Sequence, residues 1–266
     1  MIVMDLDGTL LNENGCVDNE TKDYLSKLKS KGYIIAIATG RILKAALVAT
    51  DGADFANYIV SSAGSAVYKN NIDSKNWDEV YSKTISKEIA KDIIEQFDEN
   101  KFSHINICEK DFIYAYTKTY SSKNEYVKIY SDEKEMFKNI NNVTHISASF
   151  YSNKFVDEYL EKFIKKYPSL DIKIMQDSFD DEKWIEIFIK GVEKYGGIYK
   201  ISQIEKVENK DIIAFGDGLN DIDMIEKCGI GVAMKNALKE VKEKSKYITE
   251  KSNKENGIKF FLENYL

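Results

Sequence analysis

Arginine is almost missing from this sequence: Arg41 is the one arginine among 38 basic residues, so lysine fills nearly every cationic position. A lone arginine beside Thr39 and Gly40 marks a place that needs a planar, multidentate donor. Cysteine is scarce too. Cys16, Cys108 and Cys228 are odd in number, far apart and without a Cys-x-x-Cys pair, which excludes a disulfide framework and a cysteine zinc site. A reduced, cytoplasmic setting is the expectation. The only histidines, His104 and His145, fall in apolar alternating runs and are expected in the core or on the surface of their domain, not on a metal. No stretch approaches a membrane span, and the apolar run at residue 2 leaves no room for a signal peptide. Positive charge is not in excess. A net charge of −6 gives no electrostatic footprint for nucleic acid. Neither an internal repeat nor a low-complexity linker is present.

What remains is an ordinary globular chain of 266 residues, 43% of them hydrophobic, long enough for one large domain or two modest ones. Its most informative stretch is the first eleven residues. Ile2, Val3 and Met4 read as a buried strand ending at Asp5, and Gly8 is a turn signal. With an extended backbone, Asp5 and Asp7 would point the same way and Leu6 inward. Two carboxylates in one small space require a cation. With no cysteine or histidine nearby, the pair calls for a hard, oxygen-seeking ion, magnesium being usual where phosphate is also a ligand. Thr9 offers a hydroxyl to orient a neighbour.

Residues 17–32 read as a helix capped by Asp18 and stopped at Gly32, and 33–38 as a strand covered on both faces. A second helix opens after Thr39-Gly40-Arg41, and a third strand at 58–60 leads into Ser61 and small residues. Strand, helix, strand, helix, strand spells a parallel sheet, whose ligands bind at the carboxyl ends of the strands. From 79 to 189 the texture changes. A helix at 85–97, a hairpin of 104–108 with 112–116, a polar stretch at 117–142, a strand at 143–150, a helix at 154–166 and strands at 170–175 and 184–189 read as an inserted α+β domain. Strands there alternate apolar with polar, so one face of that sheet is not covered by its own helices. Ser121 to Asn124 and the run Ser178, Phe179, Asp180, Asp181 read as solvated loops rather than substrate contacts. From 190 to 266 the α/β alternation returns. The strand at 211–215 ends in Gly216-Asp217-Gly218-Leu219-Asn220-Asp221. The first domain is therefore 1–78 plus 190–266.

Asp5-x-Asp7-Gly8-Thr9, Thr39-Gly40-Arg41, Lys194 and Gly216-Asp217-Gly-x-Asn220-Asp221, in this order and each at a strand end or helix start, resemble the four motifs of the haloacid dehalogenase superfamily. The insert resembles the larger cap, of C2B type, of its Cof-type (subfamily IIB) phosphatases. The resemblance implies a Rossmann-like parallel-sheet core and a magnesium-dependent phosphatase of small phosphorylated metabolites, such as sugar phosphates. It casts Asp5 as nucleophile, Asp7 as general acid and base, and Asp5, Asp7 through its carbonyl, Asp217 and Asp221 as the metal shell. Thr39, Gly40, Arg41, Lys194 and Asn220 would surround phosphate, Lys194 counting as catalytic too because it would neutralise charge on Asp5. The chain departs from relatives at Ser62-Ala63-Gly64-Ser65, where Ser-Asn-Gly-Ala is usual, and at Lys235, where glycine is frequent. A phosphotransferase such as a hexose-phosphate mutase and a non-catalytic phosphate-ligand sensor stand as alternatives, and monomer and homodimer are both open.

Overall fold

The computed structural model describes residues 1–119, 121–176 and 182–266. The first segment forms β1 (Ile2–Met4), a helical turn at Leu6–Leu10, α1 (Asn19–Ser30), β2 (Ile35–Ala38), α2 (Leu43–Thr50), β3 (Tyr58–Ser61), β4 (Ala66–Asn71) and β5 (Asn76–Ser82). The middle segment forms α3 (Lys87–Ile94), β6 (Phe102–Cys108), β7 (Ile113–Thr117), β8 (Val127–Tyr130), α4 (Glu133–Asn139), β9 (His145–Phe150), α5 (Asn153–Lys166), β10 (Leu170–Gln176) and β11 (Lys183–Ile189). The last forms α6 (Lys194–Glu205), β12 (Ile213–Gly216), α7 (Ile222–Lys227), β13 (Ile230–Ala233), α8 (Lys239–Lys244), β14 (Tyr247–Ile248) and α9 (Gly257–Tyr265). The chain divides into two compact units, Met1–Ser82 with Glu193–Leu266, and Lys83–Val192. Among the described residues no helix is long and apolar enough to cross a membrane.

In the first unit eight described strands lie in the order β14-β13-β12-β1-β2-β3-β4-β5. All neighbours are parallel except the β3–β4 and β4–β5 pairs. The central strands are buried on both faces, as their unbroken apolar runs require. Ile2, Met4, Ile35, Ile37 and Phe215 face one layer with α1 and α9, while Val3, Ala36, Ala38, Val60 and Ala214 face the other with α6. The hairpin of β4 and β5 extends this sheet, so residues 79–82, assigned to the insert on sequence texture, belong to the first unit. Half-polar and exposed at its far end, β5 carries no signal of which sheet it joins until its pairing with β4 is known.

The second unit holds six described strands in the order β10-β11-β9-β6-β7-β8, antiparallel but for β7 with β8. Ile105, Ile107, Ile146, Ala148, Ile185 and Ile187 pack on one side against α3, α4 and α5. Two elements, β8 and α4, lie inside the stretch read only as polar, 117–142. The short α4 is set by Asp132, whose carboxylate accepts the Lys134 and Glu135 N–H groups, and by Met136 and Phe137 entering the core. Residues 121–124 are irregular. Ser178, Phe179, Asp180 and Asp181 lie outside the described residues.

His145 is buried in this unit, its ring stacked on Phe188 at 5.2 Å. Burial lowers its pKa from 6.5 to about 4. The neutral ring thus contributes stability that is complete above pH 6.5 and is lost as pH falls toward 4, up to about 3 kcal/mol. Denaturant titrations at pH 7.5 and 4.5 should show a larger acid loss for wild type than for His145→Asn. Equal losses would exclude this ring as an acid-sensitive group.

Candidate active site

The charged groups of the motifs lie at the carboxyl ends of β1, β2 and β12 and at the start of α6. The Asp5 N–H donates to the Phe215 carbonyl at 3.0 Å as the strand ends, and the chain then coils, with Leu10 N–H on the Asp5 carbonyl and Leu11 N–H on the Leu6 carbonyl. Gly8 permits the coil at φ +77°. A Cβ there would stand 2.2 Å from Asp217 Oδ2. This turn overturns the expectation that Asp5 and Asp7 share a face. Alternation ends with the strand at Met4, so Asp5 is buried while Asp7 emerges into solvent.

Lys194 opens α6 almost wholly buried, and its ammonium donates to Asp5 Oδ1 and Asp221 Oδ1, both at 2.6 Å. Its placement depends on Gly64, since a Cβ at that residue would lie 2.1 Å from the Glu193 carbonyl oxygen. The 62–64 turn is in turn tied to the second motif. Ser62 N–H donates to the Arg41 carbonyl and Ala63 N–H to the Thr39 carbonyl. Ala63 stands at φ +55°, in the left-handed region that asparagine tolerates better. The alanine therefore sits in a backbone conformation that favours asparagine.

Asp221 is fully committed. Its Oδ1 takes Lys194, and its Oδ2 accepts the Asp217 and Gly218 N–H groups at 2.9 and 3.0 Å. Asp217 accepts the Thr9 hydroxyl at 2.8 Å through Oδ1. Carboxylate oxygens of Asp5, Asp217 and Asp221 all come within 4.8 Å of one another. One ammonium among three buried or half-buried acids leaves negative charge uncompensated. Burial, followed by Asp221, pushes the Asp5 carboxyl well above the usual range against the pull of Lys194. Burial likewise lifts Asp217 to about 6 although Thr9 opposes it. Lys194 is held charged: burial acts to lower its pKa, but Asp221 and Asp5 together raise it. An all-oxygen donor set with surplus negative charge fits a hard divalent cation.

Asp7 does not join that group. Arg41 grips it with two bonds, Nε to Oδ2 at 2.9 Å and Nη2 to Oδ1 at 2.6 Å. Thr39 is buried, with its hydroxyl oxygen accepting the Arg41 N–H at 3.1 Å, and Gly40 and Asn220 are at exposed positions of their loops. Sequence reasoning assigned no part to Asn236. Its amide donates to the Gly8 carbonyl at 2.7 Å, its Oδ1 accepts the Asn253 N–H, and Asn253 donates to the Leu11 carbonyl. Two asparagines thereby brace the coil that follows Asp5. The one signal for this was Asn236 lying just beyond a strand end, on the edge where the other motifs sit.

Over residues 2–262 the sequence matches the haloacid dehalogenase-like hydrolase family. It is 26% identical to YitU, a 5-amino-6-(5-phospho-D-ribitylamino)uracil phosphatase of Bacillus subtilis (strain 168), with 100% of this chain and 97% of that protein covered. YwtE of the same organism, a phosphatase of the same name, is 27% identical over 100% and 97%. The crystal structure of a Thermotoga maritima protein superposes with a TM-score of 0.79 at 26% identity, covering 99% of this chain and 96% of that one. A sugar phosphatase of HAD subclass IIB shares the fold, with a TM-score of 0.74 at 21% identity over 99% and 98%. A match that runs from the first strand into the last helix, through every loop that carries a charged group of the site, leaves one assignment: this chain belongs to the haloacid dehalogenase-like hydrolase family.

Proposed function

We propose that the protein is a phosphoric monoester hydrolase acting on small metabolites that carry phosphate on a polyhydroxylated carbon chain. The observation that carries this reading is a buried carboxylate, Asp5, held by the Lys194 ammonium at 2.6 Å beside a cluster of further acids. Such a group is a nucleophile with its counter-charge built in. The names of the relatives support the substrate class, being phosphatases of a ribityl phosphate and of sugars.

In this reading an Asp5 oxygen attacks phosphorus as the bond to the substrate's alcohol oxygen breaks, giving an aspartyl phosphate. Asp7 gives a proton to the departing alcohol and later takes one from the water that splits the aspartyl phosphate. Lys194 neutralises charge on Asp5 and on the phosphoryl oxygens, and the loop of Thr39 supplies donors to them. Magnesium, held by the Asp5 and Asp217 carboxylates and the Asp7 carbonyl, would reduce repulsion between nucleophile and phosphate when bound. Asp221, both of whose oxygens are occupied, keeps Lys194 and the 217–218 turn in place.

The test is phosphate release from p-nitrophenyl phosphate, from sugar phosphates and from 5-amino-6-(5-phospho-D-ribitylamino)uracil, with magnesium or with EDTA. Turnover that requires magnesium and ranks polyol phosphates highest is expected. No phosphate release from any of these would overturn the reading. Magnesium alone should also raise the melting temperature, since a hundredfold excess over Kd stabilises by about 2.7 kcal/mol. Asp217→Asn should abolish that rise, and a rise that survives would place the ion elsewhere.

A further inference from the structure

The strongest unexplained feature is where the single arginine spends its charge. A lysine could neutralise Asp7, but only a guanidinium can meet both carboxylate oxygens at once. The two bonds, at 2.9 and 2.6 Å, engage one lone pair on each oxygen of the group to which proton transfer is assigned. While the fork is closed, the Asp7 carboxylate is charge-paired and its plane is held toward Arg41.

The surroundings favour a fork that opens. Its backbone ends are fixed: Arg41 N–H donates to the Thr39 hydroxyl oxygen, and the Arg41 carbonyl accepts Ser62 N–H at 2.8 Å. Its charged ends are wet, with side-chain exposures of 34% for Arg41 and 58% for Asp7. An exposed ion pair is worth little net free energy, so a stronger anion can displace one partner. A phosphate dianion is such an anion, and it offers a guanidinium the same two-oxygen edge as a carboxylate.

We infer that Arg41 is a positioning residue that exchanges partners: it parks Asp7 in the free protein and passes to the phosphoryl group of an arriving monoester, releasing Asp7 for proton transfer. The exchange rests on the hydrolase reading above. It makes substrate binding the event that arms the acid.

The experiment is a double-mutant cycle read by calorimetric binding of inorganic phosphate in the presence of magnesium, using wild type, Asp7→Asn, Arg41→Ala and the double variant, each first shown to be folded by circular dichroism. Removing one negative charge tightens phosphate in either background by electrostatics alone. Exchange adds the freed guanidinium, so Asp7→Asn should tighten binding about tenfold more when Arg41 is present, the worth of one charge-assisted contact. Equal gains in the two backgrounds, or no phosphate binding in any of the four proteins, would overturn the exchange. A kinetic arm separates exchange from support of the acid during the reaction. Nitrophenolate departs without a proton, and Arg41→Ala leaves Asp7 unparked while removing the phosphoryl contact, so turnover of an alkyl phosphate and of p-nitrophenyl phosphate should fall by the same factor. A larger fall for the alkyl phosphate would mean that Arg41 serves Asp7 throughout the reaction and overturns the exchange. The binding cycle does not depend on turnover, so non-additive phosphate binding in a protein that hydrolyses nothing would retain the exchange and discard the hydrolase.

Discussion

Asp5→Asn is expected to eliminate turnover while leaving a protein that melts higher than wild type in the absence of metal. The activity loss follows from the loss of the attacking oxygen, and removal of a nucleophile from a preorganised site costs about four to six orders of magnitude in kcat. The stability gain follows from the crowding of acids. Burial and the neighbouring Asp221 raise the folded-state pKa of Asp5 well above its unfolded value of 3.8. Ionised Asp5 therefore costs stability at neutral pH, a cost that fades as pH falls through the raised pKa. An amide has no charge to desolvate and no repulsion with Asp221, and Lys194 keeps that partner. Thermal unfolding at pH 7.5 in EDTA, beside steady-state assays in magnesium, measures both effects. Retention of more than a tenth of wild-type turnover would remove Asp5 from the nucleophile's role, and a lower melting temperature would mean that its bond to Lys194 outweighs the crowding.

Lys194→Met should have the opposite effect on stability. The ammonium lies between two carboxylates and is 1% exposed, with its partners at 7% and 1%. Methionine fills much of the same space but leaves two buried anions without a counter-charge, and breaking a buried ion pair in this way costs about 3–5 kcal/mol. Turnover should fall by about a thousandfold, as when a preorganised electrostatic donor is removed. If charge is the cause, the destabilisation shrinks on acidification, because Asp5, whose pKa burial already raises, can then be neutralised by a proton. Urea titrations at pH 7.5 and 5 distinguish the cases. A loss of equal size at both pH values would assign the effect to packing.

The strands that carry the motifs were legible because they are short apolar runs, each followed at once by polar or glycine-rich residues. Burial on both faces gives such a run no alternation to misread, as with Ile35–Ala38 and Ile213–Gly216. Legibility ended where structure depends on partners far along the chain. The β4–β5 hairpin looks like a polar connection until it is seen to extend the sheet beyond β3. In the second unit, α4 offers only Met136 and Phe137 as buried positions, too few to show a helical period. Asp5 and Asp7 were misread for a different reason. The two-residue period holds only while the backbone is extended, and the chain starts to coil at Leu6, between the two acids. The fork between Arg41 and Asp7 spans 34 positions and the bond from Asn236 to Gly8 spans 228, and neither leaves a local pattern.

The strand order has a consequence for how this molecule is made. Central strand β1 is flanked by β2, which follows it closely, and by β12, whose first residue is Ile213. At synthesis rates of about 5–20 residues per second, β1 emerges roughly ten to forty seconds before that second neighbour exists. For that interval one edge of the nascent sheet is bare and apolar, a hazard for association with other chains. The second unit faces no such delay, because Lys83–Val192 is continuous and has its own core. It can be complete while the first is still half a sheet. The carboxylate of Asp5 waits through most of the same interval for Lys194, so the ribosome delivers the acid long before the base that makes its burial tolerable.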